Sequence, residues 1–165
     1  MKYANINTQA EFLKVMQVHK TFCAKDPARI ALCCTYIEQI EGDKYRLTST
    51  DRHTLLSTQH NIYINIDVGL FDHRKLSIDN TNLPYPTYKN VIPNTFSNPK
   101  DVRIWFNPEL LVKIKKARKQ LEAVTTLVPP QYNTALGAVC WGTMQDHCFY
   151  LAMPLRAEWS EERSL

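Results

Sequence analysis

Apolar residues recur at helical spacing in two stretches of this chain and at strand-like spacing through much of the rest. Thr8-Gln9-Ala10-Glu11 forms a capping box, in which the Thr8 hydroxyl takes an orphan amide hydrogen and Glu11 reaches back to the cap residue's own N–H. The spacing predicts a helix from there through EFLKVMQVHKTFCAK, with Phe12, Met16, His19 and Cys23 roughly aligned and Pro27 preventing continuation past Asp26. IALCCTYIEQIEG and KYRLTSTDRHTLLSTQ are rich in β-branched and aromatic residues and read as two strands joined by a tight turn at Glu41-Gly42-Asp43. IYINIDV reads as a further strand, so the first half is strand, helix, strand, strand, strand.

From about Phe71 to Lys100 the pattern changes. Pro84, Pro86, Pro93 and Pro99 cannot donate ladder hydrogen bonds, and the stretch reads as an ordered connector. Beyond it the order of the first half returns. VRIWF is a strand, and Asn107-Pro108-Glu109 supplies a cap, a first-turn proline and a first-turn acid for the helix LLVKIKKARKQLEA. TTLV, TALGAVCWGT and HCFYLAMPL provide the closing strands. A capped helix between strands thus recurs at about half the chain's length, which suggests a duplicated unit with little residue-level identity between its copies.

At 165 residues, 44% hydrophobic and 22% charged, with four glycines and no low-complexity tract, the chain is expected to form one compact unit. No run has the length of a signal-peptide core or a membrane span, so the expected location is cytoplasmic, with no membrane partner. Cys23, Cys33, Cys34, Cys140 and Cys148 are odd in number and lack metal-ligand spacing. They read as reduced, mostly packed thiols, and no metal or cofactor is expected.

The net charge of +4 is only mildly basic, so its distribution matters more than its sum. On the second predicted helix Leu110, Ile114, Ala117 and Leu121 share a stripe, while Lys113, Lys115, Lys116 and Lys119 spread over the other side with Arg118 near the border. Such a face is either a solvated surface or a sequence-independent contact with phosphates, each neutralised charge releasing condensed counterions. The first helix adds Lys14, Lys20 and Lys25, offset by Glu11 and Asp26. Without a helix-turn-helix, zinc finger or RNA-recognition aromatic motif, base readout is not supported.

Three stretches carry a resemblance to the bacterial β sliding clamp (DNA polymerase III β subunit) family. RLTSTDRHTLLS resembles a strand-loop-strand bearing Thr-Asp-Gly-His-Arg-Leu, with Thr50, Asp51, His53 and Leu55 matching, and with Arg52 and Thr54 standing where the family has glycine and arginine. Arg52 would be strained wherever that glycine has positive φ. YPTYKNVIP is similar to the family's Phe-Pro-Asp-Tyr-Arg-Arg-Val-Leu-Pro, with Pro86, Tyr88, Val91 and Pro93 matching and Asn90 replacing an arginine. FYLAMPLR is similar to Tyr-Val-Val-Met-Pro-Met-Arg, with Tyr150, Met153, Pro154 and Arg156 matching. The family's chain ends soon afterwards, whereas AEWSEERSL follows here as an acidic tail bearing Trp159.

The resemblance implies an α+β fold of the DNA-clamp (processivity-factor) type, two strand-helix-three-strand repeats forming one clamp-type domain. That domain would span residues 1–156, with repeat 1 over about 1–68, a connector over about 69–100, repeat 2 over about 101–156 and the tail over 157–165. It implies a hydrophobic pocket for short glutamine-containing motifs of polymerases and repair proteins. By matching positions the pocket would be bordered by Thr50, His53, Leu55, Pro86, Asn90, Val91, Met153, Pro154, Leu155 and Arg156. It further implies helices facing duplex DNA through Lys14, Lys20, Lys113, Lys115, Lys116, Arg118 and Lys119, in a homo-oligomeric ring. The expected function is a clamp-like processivity factor that holds double-stranded DNA without sequence specificity and docks a replicative polymerase or other clamp-binding proteins. An alternative is a clamp mimic, of a kind suited to a phage or mobile element, that keeps the pocket without the ring and competes for those proteins. An enzyme built on His53 with Asp51, or on Cys140 with His147, finds no phosphate loop, nucleophile elbow or metal cluster to support it.

Overall fold

The structure, a computed structural model, describes residues 3–79, 83–91, 107–121, 131–133, 138–141 and 148–153. VRIWF, TTLV, Pro154, Leu155, Arg156 and the acidic tail lie outside the described residues.

The first half builds β1 (Asn5–Ile6), α1 (Gln9–Lys20), β2 (Cys34–Glu41), β3 (Lys44–Thr50) and β4 (Thr54–Ile62). The capping box of α1 forms as its sequence requires: Glu11 N–H donates to Thr8 Oγ1 at 3.2 Å, and Thr8 N–H donates to Glu11 Oε2 at 3.1 Å. α1 is shorter than expected, ending at Lys20. There the amides of Phe22 and Cys23 turn to the carbonyls three residues back and the Thr21 hydroxyl donates to Val18 O, so tighter turns replace the α-helix before Pro27.

β2 and β3 join across Gly42-Asp43, with Gly42 at φ +49, where the missing Cβ relieves the strain. KYRLTSTDRHTLLSTQ is two strands, not one, because Asp51–His53 breaks it into β3 and β4. IYINIDV contributes only the end of β4. Ile64 and Ile66 pack against the core edge without pairing. The expected connector instead opens on a hairpin, β5 (Gly69–Asp72) and β6 (Ser77–Asp79), whose turn is capped by Asp72 accepting Arg74 N–H at 2.8 Å.

The second half contributes α2 (Pro108–Leu121), capped by Asn107 Oδ1 accepting Glu109 N–H at 2.9 Å, then β7 (Gln131–Asn133), β8 (Ala138–Trp141) and β9 (Cys148–Ala152). The strands form one mixed sheet ordered β6-β5-β2-β3-β4-β9-β8-β7. β4 is the seam: its first part pairs antiparallel with β9 from Thr54↔Ala152 to Thr58↔Cys148, and its end pairs parallel with β1 at Asn61 and Ile62.

Strand alternation divides the sheet's faces. Leu47, Leu56, Tyr150 and Ala152 face a core with Phe12, Val15 and Met16 of α1 and Ile114, Ala117 and Leu121 of α2. The intervening residues Leu55, Phe149 and Leu151 face the other way into a second cluster. Both helices therefore cover one face of the sheet, leaving the opposite face to the segment around Tyr85 and Tyr88.

The helix face carries a buried polar strip. His73 Nε2 meets Thr35 Oγ1 at 2.7 Å, Thr35 meets Ser49 Oγ at 2.8 Å, and Ser49 meets His19 Nδ1 at 2.9 Å. His19 Nε2 continues to Thr58 Oγ1 at 2.8 Å, and Thr58 to His60 Nε2 at 2.7 Å. His60 Nδ1 ends the chain on the Tyr3 carbonyl. A carbonyl can only accept, so with neutral rings every step has one direction: His60 donates to Tyr3, Thr58 to His60, His19 to Thr58, Ser49 to His19, Thr35 to Ser49 and His73 to Thr35. His19 thus occupies α1's apolar stripe because the sheet beneath it is polar.

Candidate partner-docking site

The β3–β4 turn is organised by the Asp51 carboxylate. Its Oδ1 accepts His53 N–H at 3.0 Å, Thr54 N–H at 2.7 Å and the Thr54 hydroxyl at 2.9 Å, while Oδ2 accepts the Lys113 ammonium of α2 at 2.6 Å. Burial pushes the Asp51 acid up, but the Lys113 ammonium and the Thr54 donors outweigh it and hold the carboxyl below its usual range. Thr50 closes the turn by donating to Thr54 O at 2.8 Å and accepting Arg52 N–H at 3.2 Å. Arg52 sits at φ +79, so the residue standing where the family has glycine does adopt the left-handed backbone its position implied.

The far side of this turn is tied to the end of β9, where Met153 N–H donates to His53 O at 2.8 Å. Next to that bond lies the outer-face cluster, with Leu55, Tyr88, Phe149 and Leu151 buried and Tyr36, Tyr85 and Met153 packed around them. Tyr85 stacks on Tyr36 with ring centroids 5.2 Å apart and planes 13° from parallel, and meets Tyr88 edge-on at 6.3 Å. Tyr85 donates to Thr48 O at 3.3 Å, and Tyr88 donates to Glu38 Oε1 at 2.6 Å. Lys89 and Arg46 also reach the Glu38 carboxylate, at 3.2 and 3.5 Å. Burial, aided by the bond to Glu38, pushes the Tyr88 phenol up to about 12, so it stays a donor. The YPTYKNV stretch is thereby fastened across β2 and β3 by two phenols and one lysine.

Of the sequence-predicted pocket residues, Leu55 is buried in the cluster, Met153 is half-buried at its edge, and Thr50 is half-buried with its hydroxyl engaged inside the turn. His53 and Pro86 are exposed, the latter accepting Tyr88 N–H through its carbonyl. Asn90 and Val91 are described as backbone only, ending the 3-10 turn Tyr88–Val91. Tyr36, Glu38, Tyr85, Tyr88, Phe149 and Leu151 were not among the predicted lining residues. Period-two alternation through Met153 would have found Phe149 and Leu151, whereas Tyr36 and Glu38 needed the β2–β3 register.

Among the predicted DNA-facing cations, Lys14, Lys20, Lys115, Lys116 and Lys119 are exposed and Arg118 is half-buried. Lys113 differs. Its side chain is 19% exposed, bound to Asp51, 2.8 Å from Thr54 Oγ1, and its ammonium lies 4.6 Å from the centroid of the buried Phe22 ring. At about 100° per residue it lies roughly 60° from Leu110, close enough to the apolar stripe to turn inward. Sequence had set it among the outward lysines.

Among the described residues no group of His, Cys, Asp and Glu could hold a metal ion, and no helix is long and apolar enough to cross a membrane. Cys23, Cys33, Cys34 and Cys148 form no disulfide among the described residues.

One mixed sheet with two helices on a single face and a strand seam between its halves is an α+β arrangement of the DNA-clamp type. Bacterial DNA polymerase III β subunits are among the solved structures that share this fold. The chain aligns with subunit beta from Borrelia burgdorferi, solved in complex with a natural product, at a TM-score of 0.61 and 12% identity, over 87% of this chain and 62% of that one. It aligns with the beta chain from Streptococcus pneumoniae TIGR4 at a TM-score of 0.58 and 12% identity, over 90% of this chain and 64% of that one. The chain thus spans less than two thirds of the length of those proteins. No protein-family model matches it, and no curated protein matches it in sequence.

Proposed function

We propose that this protein is a clamp-like processivity factor, a binding protein rather than an enzyme. In this reading its outer sheet face docks short peptide motifs with a glutamine and hydrophobic side chains, carried by a polymerase or repair protein. Its helix face meets double-stranded DNA through Lys14, Lys20, Lys115, Lys116, Arg118 and Lys119. The observation that carries this reading is convergence. Three stretches far apart in sequence, around Thr50–Leu55, Tyr85–Tyr88 and Phe149–Met153, pack together on one sheet face, where the Met153–His53 hydrogen bond joins the first to the third.

The buried cluster would form the floor of a linear-motif groove, with half-buried Tyr36, Tyr85 and Met153 at its margin and the exposed His53 as a polar edge. DNA contact is proposed to be electrostatic and sequence-independent, so retention should fall steeply with salt. A ring of several copies, a single domain over residues 1–156 and a cytoplasmic location belong to the same proposal.

Fluorescence anisotropy with a labelled glutamine-containing clamp-binding peptide tests it. Saturable binding to the wild type and at least tenfold weaker binding to Met153→Asp is the expected result. Equal affinity in both proteins, or no binding to either, contradicts the docking assignment. Salt-dependent retention on closed circular DNA that is lost on linearisation is expected of the ring. Equal retention on both forms contradicts encirclement.

A further inference from the structure

Lys113 belongs to the helix side of the sheet, yet both hydrogen-bond partners of its ammonium lie at the foot of the docking turn. Asp51 Oδ2 and Thr54 Oγ1 are at 2.6 and 2.8 Å, and both residues flank His53, whose carbonyl accepts the Met153 amide. Asp51 Oδ1 meanwhile holds the His53 and Thr54 amides at 3.0 and 2.7 Å, so one carboxylate joins the α2 ammonium to the backbone of the turn. The turn is strained at Arg52, and a strained turn holds its shape only where its surroundings impose it. Phe22 seats the ammonium from below, and Phe22 in turn packs against Tyr150, the β9 residue whose neighbours Phe149 and Leu151 form the outer cluster.

We propose that Lys113 is a positioning residue for the docking face, a strut from α2 that sets the Asp51–His53 turn and through it the place of Met153, and that it contributes nothing to DNA contact. The assignment deepens the docking reading and rests on it for its consequence in peptide affinity. The strut itself is a property of the free protein. Removing the ammonium frees Oδ2 of Asp51 and one acceptor of Thr54, and the turn loses the only described tie between its carboxylate and a helix. A charge on α2 thereby controls geometry on the opposite face of the sheet.

The test uses the full chain labelled with 13C at methionine methyls, as wild type, Lys113→Met, Asp51→Asn, the double variant, and Lys44→Met as a control of equal charge change at an exposed β3 position. In the free protein the Met153 methyl is expected to shift in Lys113→Met and to stay put in Lys44→Met. Peptide affinity is expected to fall about fivefold or more in Lys113→Met, with the double variant no weaker than the weaker single variant. The slope of DNA retention against salt is expected to match the wild type. An unmoved Met153 methyl overturns the strut whether or not any peptide binds. Wild-type peptide binding with unchanged affinity in Lys113→Met overturns its role in docking, and a reduced salt slope overturns its exclusion from DNA. Failure of the wild type to bind peptide overturns the docking reading alone, because the methyl comparison still decides the strut. Should Lys113→Met not fold, Asp51→Asn keeps the Oδ1 acceptor and carries the same comparisons.

Discussion

The backbone amide of Met153 donates to the carbonyl of His53 at 2.8 Å, closing the end of β9 onto the β3–β4 turn. Behind that bond Leu55 and Leu151 sit opposite each other across the β4–β9 seam, both buried on the outer face. Truncating either to alanine should cost about 2–4 kcal/mol in urea unfolding, the usual penalty for a buried leucine. Met153→Ala, at the edge of the cluster, should cost about 1 kcal/mol while weakening peptide binding more than its stability effect suggests. Equal stability losses at all three positions would contradict the burial pattern.

Arg52 at φ +79 stores backbone strain that a glycine would not. The left-handed region costs a side-chain-bearing residue about 1–2 kcal/mol, and glycine's extra unfolded-state freedom returns about 0.5–1 kcal/mol of that. Arg52→Gly should therefore raise the melting temperature slightly, by the equivalent of about 0.5–1 kcal/mol. A lower melting temperature would show that the Arg52 side chain stabilises the turn by more than its strain.

Acid should destabilise the fold well before the carboxylates protonate. Burial, together with the nearby Lys20 charge, pushes the His73 imidazole down to about 4, and burial pushes His19 well below its usual value. The unfolded chain takes up these protons near pH 6.5, the folded one only near 4 for His73, so the unfolded state gains as pH falls through that window. Stability should be full above about pH 7 and fall by a few kcal/mol by pH 4, measured as urea midpoints at several pH values. Asp51 adds a separate loss below its ordinary acid range, because its folded carboxyl is held down and its stabilisation disappears as that carboxyl protonates. A urea midpoint that does not change from pH 7 to pH 5 would contradict the neutral histidine chain.

Tyr150 is fully buried, and its hydroxyl meets no nitrogen or oxygen partner among the described residues, with the weakly bonding Cys148 thiol beside it. An unsatisfied buried hydroxyl costs about 1–3 kcal/mol, so Tyr150→Phe should be neutral or stabilising by about 1 kcal/mol in thermal unfolding. A loss above that size would reveal a partner for the phenol.

Much of the architecture was legible because it rests on local chemistry. The Thr8–Glu11 box, the Asn107-Pro108-Glu109 start and the Gly42 hairpin each use side chains whose partners lie within a few residues, and each formed as read. Arg52's backbone was legible through the glycine it replaces. Features set by distant pairing were not. The β5–β6 hairpin arises from a stretch read as connector, since its strands are short and its turn is closed by Asp72 and Leu76 at φ +55 rather than by glycine or proline. Tyr36 and Glu38 join the outer face only through the β2–β3 register, and Lys113 turns inward because Asp51, far away in sequence, waits there.

The central claim is that the outer sheet face is where a partner peptide docks. Titrating an unlabelled glutamine-containing clamp-binding peptide into methyl-labelled protein tests it most directly, by showing which side of the sheet responds. The account predicts saturable shifts at Leu55, Leu151 and Met153, with the helix-face methyls of Met16, Leu47 and Leu56 unmoved. Shifts confined to the helix face, or none at a peptide concentration that saturates a bacterial β subunit, would contradict it.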